Sequence, residues 1–198
     1  MTRIAIFASG SGSNAERITT YFADKESVSV EMFLSNNPMA GVIERGRRLG
    51  IPIVLFDKKT FSKTNKIVNL LQNQQIDLVI LAGFLWLVPA HLIKAFENRM
   101  INIHPALLPK YGGKGMYGHF VHEAVVAAGE KESGITIHFV NEHYDEGNII
   151  FQALDFCNSD SGLWYNFIKR NRWTNGGFYL CYFYFVIAEC IYNFILVF

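Results

Sequence analysis

Three stretches of this chain combine residue types and spacings that can do chemistry. The first is Asn102-Ile103-His104-Pro105, with a carboxamide and an imidazole at alternate positions. In an extended strand that spacing puts both side chains on one face, and Pro105 disfavours helix at His104. Both groups can donate to a carbonyl oxygen as it gains charge, and histidine titrates near neutrality. The second is Asn141-Glu142-His143-Tyr144-Asp145-Glu146-Gly147. A carboxylate from this acidic loop, set against His104, would favour the imidazolium form. Spacing does not choose among Glu142, Asp145 and Glu146, and acidic turns are usually just solvated. The third is Ser9-Gly10-Ser11-Gly12-Ser13-Asn14. Its glycines let the backbone turn tightly and a ligand approach. Its hydroxyls and the free N–H groups of a following helix would face an anion, most naturally a phosphate.

The third stretch is not a Walker loop, because no Gly-Lys-Ser/Thr follows it. It fits the loose dinucleotide pattern Gly10-x-Gly12-x-x-Ala15, which also calls for an acidic residue near the end of the second strand. Ser35-Asn36-Asn37 stands there instead. The reading is therefore a phosphate monoester rather than a dinucleotide, and a nucleotide-binding oxidoreductase is disfavoured.

The elements that must position these stretches follow from hydrophobic periodicity. Apolar runs over 3–8, 28–34, 52–56, 77–84 and 99–103 read as strands, joined by later strands over 134–140 and 148–154. Amphipathic stretches over 14–23, 40–49, 62–74, 89–97 and about 119–128 read as helices. Asn14 and Ser62 are the expected caps and Pro89 a first-turn residue. The continuous apolar run at 77–84 is the pattern of a strand covered on both faces. Regular alternation of strand and helix gives an α/β class, a mostly parallel sheet with helices on both faces. In such sheets ligands bind beyond the carboxyl ends of the strands, where all three stretches lie.

Composition bounds the function. The 198 residues make about one domain, and 51% hydrophobic content is ample for a core. A formal net charge of +1 gives no basic excess for nucleic acid or an anionic membrane. Cys157, Cys181 and Cys190 are odd in number and widely spaced, which suits a reducing cytoplasm and makes no zinc-finger pattern. No compact ligand cluster for a metal is visible, and the first apolar run is too short for a signal peptide.

The run Asn102-Ile-His104-Pro105-x-Leu-Leu-Pro109 resembles the signature of the folate-dependent formyltransferases. The Gly12-Ser13-Asn14 loop and the Ala82-Gly83-Phe84 strand end narrow it to members acting on glycinamide ribonucleotide. The resemblance covers residues 1 to about 154 and implies a Rossmann-like formyltransferase fold. It implies that a formyl group passes from 10-formyltetrahydrofolate, a co-substrate, to the amine of glycinamide ribonucleotide in de novo purine biosynthesis. On that reading no metal or nucleic acid is expected to take part, and no membrane is expected. It makes Asn102, His104 and Asp145 the catalytic trio. Gly12, Ser13, Asn14, Ala15 and Glu16 would hold the ribonucleotide phosphate. Leu85, Trp86, Leu87 and Val88 would hold the folate, with Asn102 and with Asn141, Glu142, His143, Tyr144 and Asp145. Thr136 and His138 match the family pattern on the strand entering that loop. Many relatives carry arginine where this chain has Trp86, which leaves the backbone contacts there.

A formyltetrahydrofolate hydrolase would share the trio but usually adds an N-terminal regulatory domain, for which a strand at residue 3 leaves no room. A methionyl-tRNA formyltransferase would usually be longer and would lack the Ser/Asn loop. From about Cys157 the resemblance stops. Residues 155–198 form an atypical tail, ending in the aromatic run 178–198 with Glu189 as its one charge. The reading favours a shifted reading frame over a membrane anchor for this tail. A damaged C-terminus would make the chain an inactive member.

Overall fold

Each apolar run anticipated as a strand joins one seven-stranded sheet, in the order β3-β2-β1-β4-β5-β6-β7. The computed structural model describes residues 1–156 and 187–196. The strands are β1 (Thr2–Phe7), β2 (Val28–Ser35), β3 (Ile53–Leu55), β4 (Leu78–Leu81), β5 (Met100–His104), β6 (Glu132–Phe139) and β7 (Ile149–Phe156). The first five are parallel; β6 and β7 are antiparallel to their neighbours. The helices are α1 (Ser13–Phe22), α2 (Val42–Leu49), α3 (Lys58–Lys63), α4 (Lys66–Asn73), α5 (Ala90–Ala95), α6 (His119–Ala127) and α7 (187–196).

Alternation along the strands splits the core into two layers. Ile4 and Ile6 of β1 with Ile101 and Ile103 of β5 pack against α1, α2 and α7. Ala5 and Phe7, with Val79, Leu81 and Met100, pack against α3, α4 and α5. The expected α/β architecture, mostly parallel with helices on both faces, is therefore the one found. Because Ile101 and Ile103 fill the first layer, Asn102 and His104 face the other side of the sheet.

Local details differ from the sequence reading. Asn14 does not cap α1; the cap position is Gly12, with φ 75. The stretch 62–74 is two helices, because Thr64 between them is extended. The first of these is capped by Asp57, whose carboxylate accepts from the Thr60 N–H at 2.7 Å. Ser62 lies inside α3, its hydroxyl donating to the Lys58 carbonyl. Pro89 is the extended residue before α5 rather than its first residue.

The C-terminal helix shares the first core layer. Ile187, Ala188 and Ile191 are buried with Ile4, Ile18 and Phe22. The Tyr21 hydroxyl donates to Glu189, and Phe194 meets Phe139 edge-on at 5.7 Å. The Lys25 ammonium sits over the rings of Tyr21 and Tyr192, 4.7 and 4.4 Å from their centroids. Residues 157–186, where the composition changes and where Cys157 and Cys181 fall, lie outside the described residues. Among the described residues no helix is long and apolar enough to cross a membrane.

Candidate active site

The antiparallel register of β5 and β6 places Asn102 opposite His138 and His104 opposite Thr136. Asp145 arrives from the β6–β7 loop in a left-handed conformation, φ 58. That loop is tight: a Cβ on Gly147 would lie 1.7 Å from the Phe139 carbonyl oxygen, so only glycine fits. The Asp145 carboxylate becomes the hub. Its Oδ1 accepts from Asn102 Nδ2 at 3.2 Å and lies 3.6 Å from His138 Nε2. Its Oδ2 accepts from the Gly113 N–H at 2.9 Å and lies 3.5 Å from His104 Nδ1. Glu142 and Glu146, the alternatives in sequence, are both exposed. Burial pushes the Asp145 carboxyl up, but hydrogen bonding with His104, His138 and Gly113 outweighs it. The net result is a carboxyl well below the usual carboxylate range.

The partners fix where the hydrogens are, since a carbonyl can only accept. His104 Nε2 lies 2.8 Å from the Tyr111 carbonyl oxygen and donates to it. The nitrogen not held by a carbonyl is Nδ1, the one facing Asp145. His138 Nδ1 donates likewise to the Phe139 carbonyl, 2.8 Å away, so its Nε2 accepts from Asn102 Nδ2 at 3.1 Å. Both amide hydrogens of Asn102 are thereby committed, to His138 and Asp145. Reversing the carboxamide would set its oxygen against the Asp145 carboxylate. In this arrangement its hydrogens thus serve His138 and Asp145 rather than an open site, and its oxygen is the atom left for a ligand.

Two parts of this site carried no stated role in the sequence reading. One is the segment Tyr111–Gly113, which lies across His104 and Asp145. The run of glycines that begins there was the only hint of so close an approach. The other is the support under Pro105–Leu108: Thr136 donates to the Ala106 carbonyl at 2.7 Å and accepts from the Leu108 N–H at 3.0 Å.

The Gly/Ser loop joins β1 to α1, as expected. At Gly12, φ is 75 and a Cβ would lie 2.5 Å from that of Val42. Ser13 and Asn14 open α1 and are half-buried, next to exposed Ser11. Ala15 is buried in the core, and Glu16 is ion-paired with Arg45 and Arg48. These two therefore brace the loop. Arg45 Nε also donates to the Ser11 carbonyl at 2.8 Å. Ser9, buried, ties the loop to its neighbours: its hydroxyl donates to Asn36 and accepts from the Leu85 N–H. That bond brings the start of 85–88 beside the Gly/Ser loop.

Within 85–88, Leu85 and Leu87 are exposed and Val88 is buried. Trp86 packs against Phe56, Phe61 and Phe84, with the Lys58 ammonium 4.6 Å from its ring centroid. Asn141 and Glu142 line a cavity of about 250 Å³ with Ile93, Glu97 and Asn148, which none of the trio lines. His143 donates its N–H to Asn141 Oδ1, and Tyr144 is half-buried beside Asp145. Among the described residues no group of three or more His, Cys, Asp or Glu side chains is placed to hold a metal ion.

A carboxylate, two histidines and a carboxamide gathered where β5 ends, with a phosphate-type loop after β1 of the same sheet, suit transfer to or from a carbonyl carbon. Residues 2–156 match the family model for formyl transferase. Over 157 residues the chain is 42% identical to the chloroplastic phosphoribosylglycinamide formyltransferase of Arabidopsis thaliana, covering 76% of this chain and 54% of that protein. It is 36% identical to the phosphoribosylglycinamide formyltransferase of Bacillus subtilis (strain 168), covering 77% of this chain and 78% of that one. The crystal structure of phosphoribosylglycinamide formyltransferase from Streptococcus pneumoniae TIGR4 superposes with a TM-score of 0.75 at 32% identity. That superposition covers 98% of this chain and 99% of the other. The chain spans about half the length of the plant relatives it matches.

Proposed function

Because the chain belongs to the formyl transferase family, we propose that it moves a formyl group from 10-formyltetrahydrofolate to the amine of glycinamide ribonucleotide. The observation that carries this reading is the convergence of Asn102, His104 and Asp145 at the end of β5. The donor supplies a formyl carbon bound to a nitrogen that can leave.

The amine nitrogen forms a bond to the formyl carbon, and the formyl oxygen takes up the charge. His104, protonated at Nδ1, donates to that oxygen, and Asp145 sustains the imidazolium. Nε2 is held by Tyr111, so only the Nδ1 edge is available for this. The Asn102 oxygen accepts a hydrogen from the attacking amine and so orients its lone pair. The bond from the formyl carbon to the leaving nitrogen then breaks. The proton lost by the amine ends on that nitrogen, relayed through His104.

Binding divides between two sets of residues. Gly12, Ser13 and Asn14 present N–H and hydroxyl donors to the ribonucleotide phosphate, braced from behind by Ala15 and Glu16. Leu85 and Leu87 offer apolar surface to the folate, Trp86 and Val88 anchor their segment, and Asn141–Asp145 supply the polar contacts. On this reading residues 1–154 are the catalytic unit and 155–198 an atypical tail, in a cytoplasmic protein. Release of tetrahydrofolate, measured with and without glycinamide ribonucleotide, tests it. Release that depends on the amine supports transfer. Release without the amine makes the chain a hydrolase, and no release in folded protein refutes both.

A further inference from the structure

We propose that Glu130 is a positioning residue for His104, acting through the backbone of Tyr111; the inference rests on the formyl-transfer reading for its kinetic consequence only. Tyr111 is held at both ends. Its hydroxyl donates to Glu130 Oε1 at 3.0 Å, and its carbonyl accepts from His104 Nε2 at 2.8 Å. Lys110 Nζ donates to the same Glu130 oxygen at 2.8 Å. Beyond Tyr111 the chain is pinned again, by the Gly113 N–H on Asp145. Tyr111 itself has φ 56, a left-handed conformation that a bulky residue keeps only when its surroundings impose it. Glu130 follows α6 in sequence and lies outside the trio, so it can set the Tyr111 carbonyl without touching a substrate.

The consequence is chemical. An acceptor fixed on Nε2 keeps the hydrogen of neutral His104 there and leaves Nδ1 as the atom that gains and loses a proton against Asp145. Without Glu130 the strap keeps the Gly113 N–H on Asp145 and the packing of the Tyr111 ring on Ala106, Val121 and Val125, but the ring loses its polar anchor and the carbonyl drifts from Nε2. The imidazole then divides between tautomers and orientations. Hydrogen bonds from Lys110 and Tyr111 hold the Glu130 carboxyl below its ordinary value, so the anchor is charged near neutrality.

The test is nitrogen-15 NMR of the histidine rings, with the His104 signal assigned by its absence in His104→Ala, alongside steady-state kinetics. At a pH high enough to make the ring neutral, the wild type should show His104 with its one hydrogen on Nε2. Glu130→Ala and Tyr111→Phe should both shift His104 toward mixed tautomers. They should lower kcat by about 10-fold to 100-fold, leaving KM for the amine within about twofold. Glu130→Gln, whose amide oxygen still accepts from Tyr111, should restore most of both readouts. If Glu130→Ala does not fold, Tyr111→Phe, which removes one hydroxyl, decides alone. Wild-type ring shifts and kcat in the variants overturn the proposal. Shifted rings in a chain whose wild type transfers no formyl group uphold the positioning role and remove the proposed function instead.

Discussion

His104 Nδ1 stands 3.5 Å from Asp145 Oδ2, while the opposite nitrogen of the same ring is spent on the Tyr111 carbonyl at 2.8 Å. One edge of the imidazole is thus structural and the other chemical. The His104 side chain is only 3% exposed and that of Asp145 11%, so their interaction is little screened by solvent. Everything proposed for the reaction depends on this pairing.

Asp145→Asn should remove the charge that sustains the imidazolium while keeping the shape. A loss in kcat of about 10²-fold or more is expected, with a folded protein by circular dichroism. Unchanged kcat would place the working carboxylate elsewhere.

The same residue makes a pH prediction. Its carboxyl is lowered in the folded protein, so the unfolded chain binds that proton more readily. The resulting stability is complete above the unfolded value, near pH 4, and is lost as the pH falls below it. Denaturant titrations between about pH 6 and pH 3 should show wild-type stability dropping more steeply than that of Asp145→Asn. Parallel slopes would contradict the assignment.

Gly12→Ala tests the phosphate loop. The new methyl group meets Val42 in a left-handed backbone, a strain of about 1–3 kcal/mol. If the loop binds the ribonucleotide phosphate, KM for the ribonucleotide rises while KM for the folate does not. Equal changes in both would indicate general unfolding.

The C-terminal helix is the least expected element, and it is testable by stability alone. Ile191 is fully buried. Its replacement by alanine should cost about 2–5 kcal/mol, read from denaturant unfolding. No loss would mean that the helix is not part of the core.

What could be read in the sequence divides on physical lines. The strands of the parallel sheet were legible because burial on both faces turns them into continuous apolar runs, as at Leu78–Leu81. Asn102 and His104 were legible because strand alternation fixes their common face. The choice of Asp145 over Glu142 and Glu146 came from the family resemblance and not from spacing, since it depends on a left-handed turn closed by Gly147. Tyr111 and Glu130 were illegible for the same kind of reason: their contacts run through a backbone carbonyl and a positive φ that no periodicity announces. The 62–74 stretch hid its break because Thr64 interrupts a helical pattern without glycine or proline. The helix at 187–196 was obscured by its aromatic surroundings. Its buried side is Ile187, Ala188 and Ile191, whereas Tyr192 and Phe194 cover the edges of α1 and β6.

The most direct test follows the formyl carbon itself. With ¹³C-labelled 10-formyltetrahydrofolate and glycinamide ribonucleotide, the wild type should convert the label into an amide on the ribonucleotide amine. His104→Ala should slow this by about 10²–10⁴-fold while still binding both substrates. Label left on the folate, released as free formate, or transferred equally well by His104→Ala would contradict the central claim that His104, set by Asp145, drives formyl transfer in this chain.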